Sequence, residues 1–135
     1  MIIRIFFLEG MKREDIFVAT KVNSHEYTYE MVMNAMNKSF QRLGLDYIDL
    51  VLIHSPGMPQ DYKGDFSRFL NDEQIKNLPK NTDQLKEARI SMWEALQYLK
   101  KSGQIRDIGV SNFTRFHIEQ LINNPRETIF NILFI

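Results

Sequence analysis

The sequence predicts an α/β fold built on parallel strands, and three observations carry that prediction. Short apolar runs at 16–20 and 48–53, and a strand at 105–110 that is weaker in pattern, each give way to a polar residue. Between them lie stretches whose apolar residues recur at steps of three and four, the period of one helix face. The resulting order is strand, helix, strand, and strands joined through helices pair in parallel by right-handed crossovers.

The central run, Ile48 to Ile53, is apolar apart from Asp49. A nearly continuous apolar run of this length, bounded by turn residues, suits a strand buried on both faces. His54 and Pro56 close it. A titratable side chain thus stands at the carboxyl end of a buried strand, where parallel α/β folds bind ligands. Such a histidine either caps the strand against solvent or acts on a ligand.

In chain order, residues 2–9 fit the end of a helix or a strand equally well, and Gly10 breaks the pattern. Lys12 to Asp15 reads as a charged turn. Ile16 to Thr20 reads as a buried strand, with Lys21 at its carboxyl end. Thr28 is a suitable N-cap for a helix whose buried face is Tyr29, Val32, Met33, Met36, Phe40 and Leu43. Gly44 supplies its stop. Residues 57–88 hold Gly57, Pro59, Gly64 and Pro79 and show no clean period, so they read as a long loop insertion. It leaves from the strand end that holds His54, and either covers whatever binds there or has no role. Ile90, Met92, Trp93, Leu96 and Leu99 form the next helix face, with Lys100 and Lys101 at its negative end and Gly103 after it. Ile105 to Val110 is the third strand, followed by Ser111 and Asn112. Thr114 is an N-cap, with Phe113 and Ile118 placed to form a hydrophobic staple, and Asn123-Asn124-Pro125 ends that helix. Thr128 to Ile135 is apolar enough for a fourth strand.

With 135 residues, 44% hydrophobic and 25% charged, the chain suits a single domain with a real core. Seventeen basic and seventeen acidic side chains cancel, which leaves no electrostatic footprint for nucleic acid or an anionic membrane. The apolar start, Met1 to Leu8, is too short to span a membrane and lacks a cleavage pattern. There are no cysteines, so disulfides and thiolate metal sites are excluded, in keeping with a cytoplasmic protein. No Gly-x-Gly-x-x-Gly or Walker pattern occurs. His25, His54 and His117 do not have metal-ligand spacing. The adjacent acidic pairs, Glu14-Asp15 and Asp72-Glu73, fall in expected loops, and Ser111 has no base near it in sequence. What remains is one set. Lys21, His54 and Ser111-Asn112 end three successive strands, an arrangement able to bind a polarised carbonyl and an amide-bearing cofactor.

Arg13-Glu-Asp-Ile-Phe-Val-Ala-Thr-Lys21, Leu43-Gly-Leu-Asp-Tyr-Ile-Asp-Leu-Val-Leu-Ile-His-Ser-Pro56, Trp93-Glu-Ala-Leu96 and Ile108-Gly-Val-Ser-Asn-Phe113 resemble the aldo-keto reductases in wording, order and spacing, over roughly residues 5–125. The resemblance implies a partial (β/α)8 TIM barrel of about three βα units, the third to fifth, with parallel strands; a full barrel needs about 250 residues. It implies an NADPH-dependent oxidoreductase reducing aldehydes or ketones to alcohols, without a metal. By resemblance Lys21 is the catalytic lysine and His54 the catalytic histidine, while Ser111 and Asn112 hydrogen-bond the nicotinamide carboxamide. The family's proton-donating tyrosine and its aspartate belong to a segment before the lysine strand, and its adenosine-phosphate grip to a segment after residue 135. The chain is therefore expected to be a single incomplete domain over 1–135, with a divergent apolar tail at 126–135. The alternative is an inactive fragment or pseudoenzyme that acts by associating with another chain, and open sheet edges make self-association an expectation of either reading.

Overall fold

The computed structural model describes residues 10–57 and 70–124, together with the backbone of 133–134. Its strands are β1 (Ala19–Val22), β2 (Ile48–Ile53), β3 (Ile105–Val110) and β4 (Leu133–Phe134). They form one sheet in the order β1-β2-β3-β4, with every pair parallel. The helices are α1 (Tyr29–Leu43), α2 (Asp72–Lys76), α3 (Thr82–Lys101) and α4 (Arg115–Ile122). This is the α/β arrangement expected, a partial barrel wall laid open. The expectation for residues 2–9 lies outside the described residues, as does most of that for 128–135.

Helix α1 begins and ends where its sequence signals stand. The Thr28 side chain accepts a hydrogen bond from Met31 N, and Gly44 takes the left-handed conformation, φ 66°, with its amide donating to Phe40 O. That conformation is cheap for glycine and costly for other residues. Val32 and Met36 are fully buried from this helix, and Trp93, Leu96 and Leu99 from α3. They pack with Val22, Val51, Ile53, Ile108 and Val110 of the sheet into one core. Phe113 and Ile118, the expected staple pair, pack partly buried against the same core.

Two expectations need correction. The first strand pairs over Ala19–Val22, not 16–20. Arg13 Nη1 donates to Ile16 O, and Val18 N donates to the Asp49 carboxylate, so both groups are spent before the ladder begins. Phe17 is 72% exposed. Lys21 consequently lies inside the strand as its third residue. The expected loop over 57–88 also contains helix where it is described. Asp72-Glu73 starts α2, and α3 begins at Thr82, two turns before the apolar face. Those turns are solvated, so hydrophobic period cannot reveal them. The signal was in the caps: Asn71 and Asn81 accept from Gln74 N and Gln84 N respectively, each an Asn followed three residues later by Gln.

Near the amino ends of the strands sits a polar cluster. Asp49, its side chain 4% exposed, accepts from Val18 N (2.9 Å), Arg13 Nη2 (2.6 Å) and Arg106 Nη1 (3.0 Å). The two guanidinium groups lie 3.8 and 4.1 Å from the Tyr47 ring centroid, within cation–π distance. Burial alone would raise the Asp49 carboxyl. The Val18 amide and the two arginines outweigh it and hold the group below the ordinary carboxylate value.

Candidate functional site

Register decides which side chains share a face. Lys21 pairs with Leu52 and Leu52 with Gly109, while Val22, Ile53 and Val110 run along the neighbouring row. Side chains alternate between faces along a strand. Val22, Ile53 and Val110 belong to the helix-covered core, so Lys21 points to the other face. The ladder continues one step beyond the strands: His54 N donates to Val22 O (2.9 Å), and Ser111 N donates to Ile53 O (2.9 Å). His54 and Ser111 therefore stand level with each other, on the face of Lys21.

The structure joins these groups at the carboxyl edge. Lys21 Nζ donates to Ser111 Oγ at 3.1 Å. Asn112 Nδ2 donates to Ser111 Oγ (3.2 Å) and to His54 O (2.7 Å). Asn112 has φ 61°, a left-handed backbone that asparagine tolerates better than most residues. It is thereby turned back across the ends of β2 and β3. Ser111 is buried, whereas Lys21, His54 and Asn112 are exposed. All four residues singled out from sequence fall at one edge.

A nicotinamide carboxamide needs a donor for its oxygen and an acceptor for its amide hydrogens. Ser111 Oγ accepts from Lys21 and Asn112, which leaves its O–H to donate. Asn112 engages its Nδ2, and its Oδ1 is an acceptor. The donor set fits the group. No cluster of metal-ligating side chains occurs among the described residues. No helix is long and apolar enough to cross a membrane, also among the described residues.

One contributor escaped the sequence reading. Arg89 of α3 donates to Pro56 O and to Gln120 Oε1, so it ties the turn after His54 to α4. Its signal was present. Arg89, Trp93 and Leu96 stand at i, i+4 and i+7, which puts a cation on the buried stripe.

Comparison with known proteins agrees with this fold. The sequence pattern of the Aldo/keto reductase family matches residues 2–132. Glyoxal reductase of Bacillus subtilis (strain 168) is 37% identical over 115 residues, covering 85% of this chain and 32% of that protein. Dihydrodiol dehydrogenase 3 of Bos taurus is 37% identical over 115 residues, covering 85% and 33%. The chain thus spans about a third of the length of the curated relatives it matches. Among solved structures, the aldo/keto reductase from Brucella melitensis superposes with a TM-score of 0.71 at 30% identity, over 98% of this chain and 40% of that one. The Bombyx mori aldo-keto reductase, solved in complex with NADP, gives 0.65 at 30% identity, over 94% and 35%. A family pattern that runs through β1, β2 and β3 and the edge they share, with relatives above a third identical, makes this chain a member of the Aldo/keto reductase family.

Proposed function

We propose that the chain carries the carbonyl- and nicotinamide-facing edge of an NADPH-dependent reductase of aldehydes or ketones, acting in the cytoplasm. The observation that supports this reading is the Lys21 Nζ to Ser111 Oγ contact of 3.1 Å, with His54 level with Ser111 on the same sheet face. Bound there, the nicotinamide would supply a hydride to the carbonyl carbon. Ser111 and Asn112 hold its carboxamide, and His54 donates a hydrogen bond to the carbonyl oxygen. Lys21 is a cation close to where negative charge grows on that oxygen, which favours the transition state more than the ground state.

Titrating NADPH against the 135-residue chain, read by nicotinamide fluorescence, tests the cofactor assignment. Saturable binding is expected, weakened roughly 3- to 10-fold in Ser111→Ala, the equivalent of one hydrogen bond. Absence of saturation at millimolar NADPH, or identical affinity in Ser111→Ala, overturns it.

A second reading has its own observation. No strand pairs with the outer edge of β1 among the described residues, and Phe17 beside it is 72% exposed. An unpaired edge with an apolar neighbour recruits further strands. The chain is therefore expected to self-associate at micromolar concentration. Analytical ultracentrifugation checks this, and a monodisperse monomer with a cooperative thermal transition would sink it.

A further inference from the structure

The imidazole of His54 is exposed, so packing does not fix its direction. Its backbone has to do so. On the sheet side the control is plain: His54 N donates to Val22 O, and His54 O accepts from Asn112 Nδ2. On the far side the chain leaves through Ser55, Pro56 and Gly57, which belong to no strand.

That turn lies flat on α3. A Cβ built at Gly57 would stand 2.8 Å from Leu85 Cδ2, and Gly57 has φ 132°, outside the range of ordinary side-chain-bearing residues. Arg89, the next turn along the helix from Leu85, is only 3% exposed. Its Nη1 donates to Pro56 O at 2.7 Å. Its Nη2 and Nε donate to Gln120 Oε1 at 2.6 and 3.1 Å. The guanidinium is planar and its donors form a rigid fork, so two bonds to Gln120 on α4 fix the direction of the third bond to Pro56. These described partners are neutral oxygens. A methionine would fill the space without the desolvation penalty of a cation. What the arginine adds is direction.

We propose that Arg89 is a positioning residue for His54: braced on Gln120, it clamps the carbonyl two residues beyond the histidine and so sets where the imidazole points. This rests on the reading that His54 acts on the bound carbonyl. Lysine at position 89 keeps the charge and loses the fork. Methionine loses both.

The test is NMR on the 135-residue chain and its Arg89→Lys, Arg89→Met and Gly57→Ala variants. Gly57→Ala displaces the turn and leaves the guanidinium in place, so it keeps the test decisive should the Arg89 variants fold badly. Two readouts are taken at His54, its ring resonances and the hydrogen exchange of its amide. A third is the titration of His117, whose pKa is held below the ordinary histidine value by burial and then by the charge of Arg89. Positioning predicts that His54 ring signals shift or broaden in all three variants. It also predicts that His54 amide exchange quickens at least tenfold while the amides of Val51 and Ile108 keep their rates. The His117 midpoint should rise in Arg89→Met and stay low in Arg89→Lys, which separates the charge from the fork. Unchanged His54 signals in the folded variants overturn the proposal. So does a uniform rise in exchange across the sheet, the mark of a residue that merely stabilises the fold. None of these readouts uses cofactor or turnover, so a failure of NADPH binding and a failure of this positioning role are told apart.

Discussion

Asp49→Ala is expected to destabilise the chain by about 3 kcal/mol, the low end for breaking a buried ion pair, because the stranded Arg13 is only partly buried and keeps the Ile16 and Tyr47 carbonyls. The carboxylate receives the Val18 amide and two guanidinium groups at once. Alanine would leave Arg13 facing an emptied pocket, where its Nε already lacks a partner. It would also orphan the amide just ahead of β1. Asp49→Asn keeps the size and one acceptor, and should cost about 1.5 to 3 kcal/mol, the range for hydrogen bonds to charged groups. Urea unfolding followed by the fluorescence of Trp93, the single tryptophan and only 2% exposed, measures both. The pH dependence has a definite sign. The folded-state pKa of Asp49 lies below its ordinary value, so its contribution is complete above the ordinary carboxylate range and is lost as pH falls through the folded value. The acid limb of stability should therefore be shallower in Asp49→Asn than in the parent. Equal urea midpoints for parent and Asp49→Ala would show that the cluster contributes nothing net.

Turnover of simple aldehydes with NADPH by the 135-residue chain is expected to stay at background. Carbonyl reduction requires a proton for the growing alkoxide, and a positioned general acid supplies roughly 10²- to 10⁴-fold in rate. Lys21, suited to lowering the pKa of a neighbouring tyrosine, instead bonds Ser111. Among the described residues, the tyrosines make their contacts elsewhere and none bonds Lys21. Tyr27 Oη donates to Gln74 O, Tyr29 and Tyr98 meet edge to face, and Tyr47 lies between Arg13 and Arg106. Tyr62 lies outside the described residues. Steady-state NADPH oxidation with parent, His54→Ala and single Tyr→Phe variants checks this. Robust turnover that is lost in His54→Ala and kept in every Tyr→Phe variant would mean that another acid serves.

The carboxyl edge was legible in the sequence because strand ends have local signatures. Ile48 to Ile53 reads as a buried strand, and His54 is simply the next residue. Ser111 and Asn112 follow the third strand in the same way. Family wording then joined the three edges, which spacing alone could only align. The start of β1 was not legible. It depends on Asp49, 31 positions away from Val18, taking the amide that would otherwise begin the ladder. The solvated turns of α3 were hidden because exposed helix carries no hydrophobic period. The Asn81–Gln84 cap is a local signal, but it follows a stretch whose prolines and glycines read as loop. Arg89 left a signal, a cation on the buried stripe of α3, but its partners were not legible, because the carbonyl it binds comes from another segment, 33 positions away.

The strand order has a consequence for how the molecule is made. Among the described residues, neighbours in the sheet are also successive strands in the chain. Among the described strands, none waits for a partner from the far end of the sequence. The contacts of β1 with β2 can form as soon as residue 54 is free of the ribosome, and β3 then adds to an edge already in place. Domains emerge amino end first during synthesis, and contacts near in sequence close fastest. Assembly can therefore follow translation strand by strand, with His54 the last residue to lock against β1 and, because β3 meets β2 from Ile48 onward, also the last to be tied to β3, through Asn112.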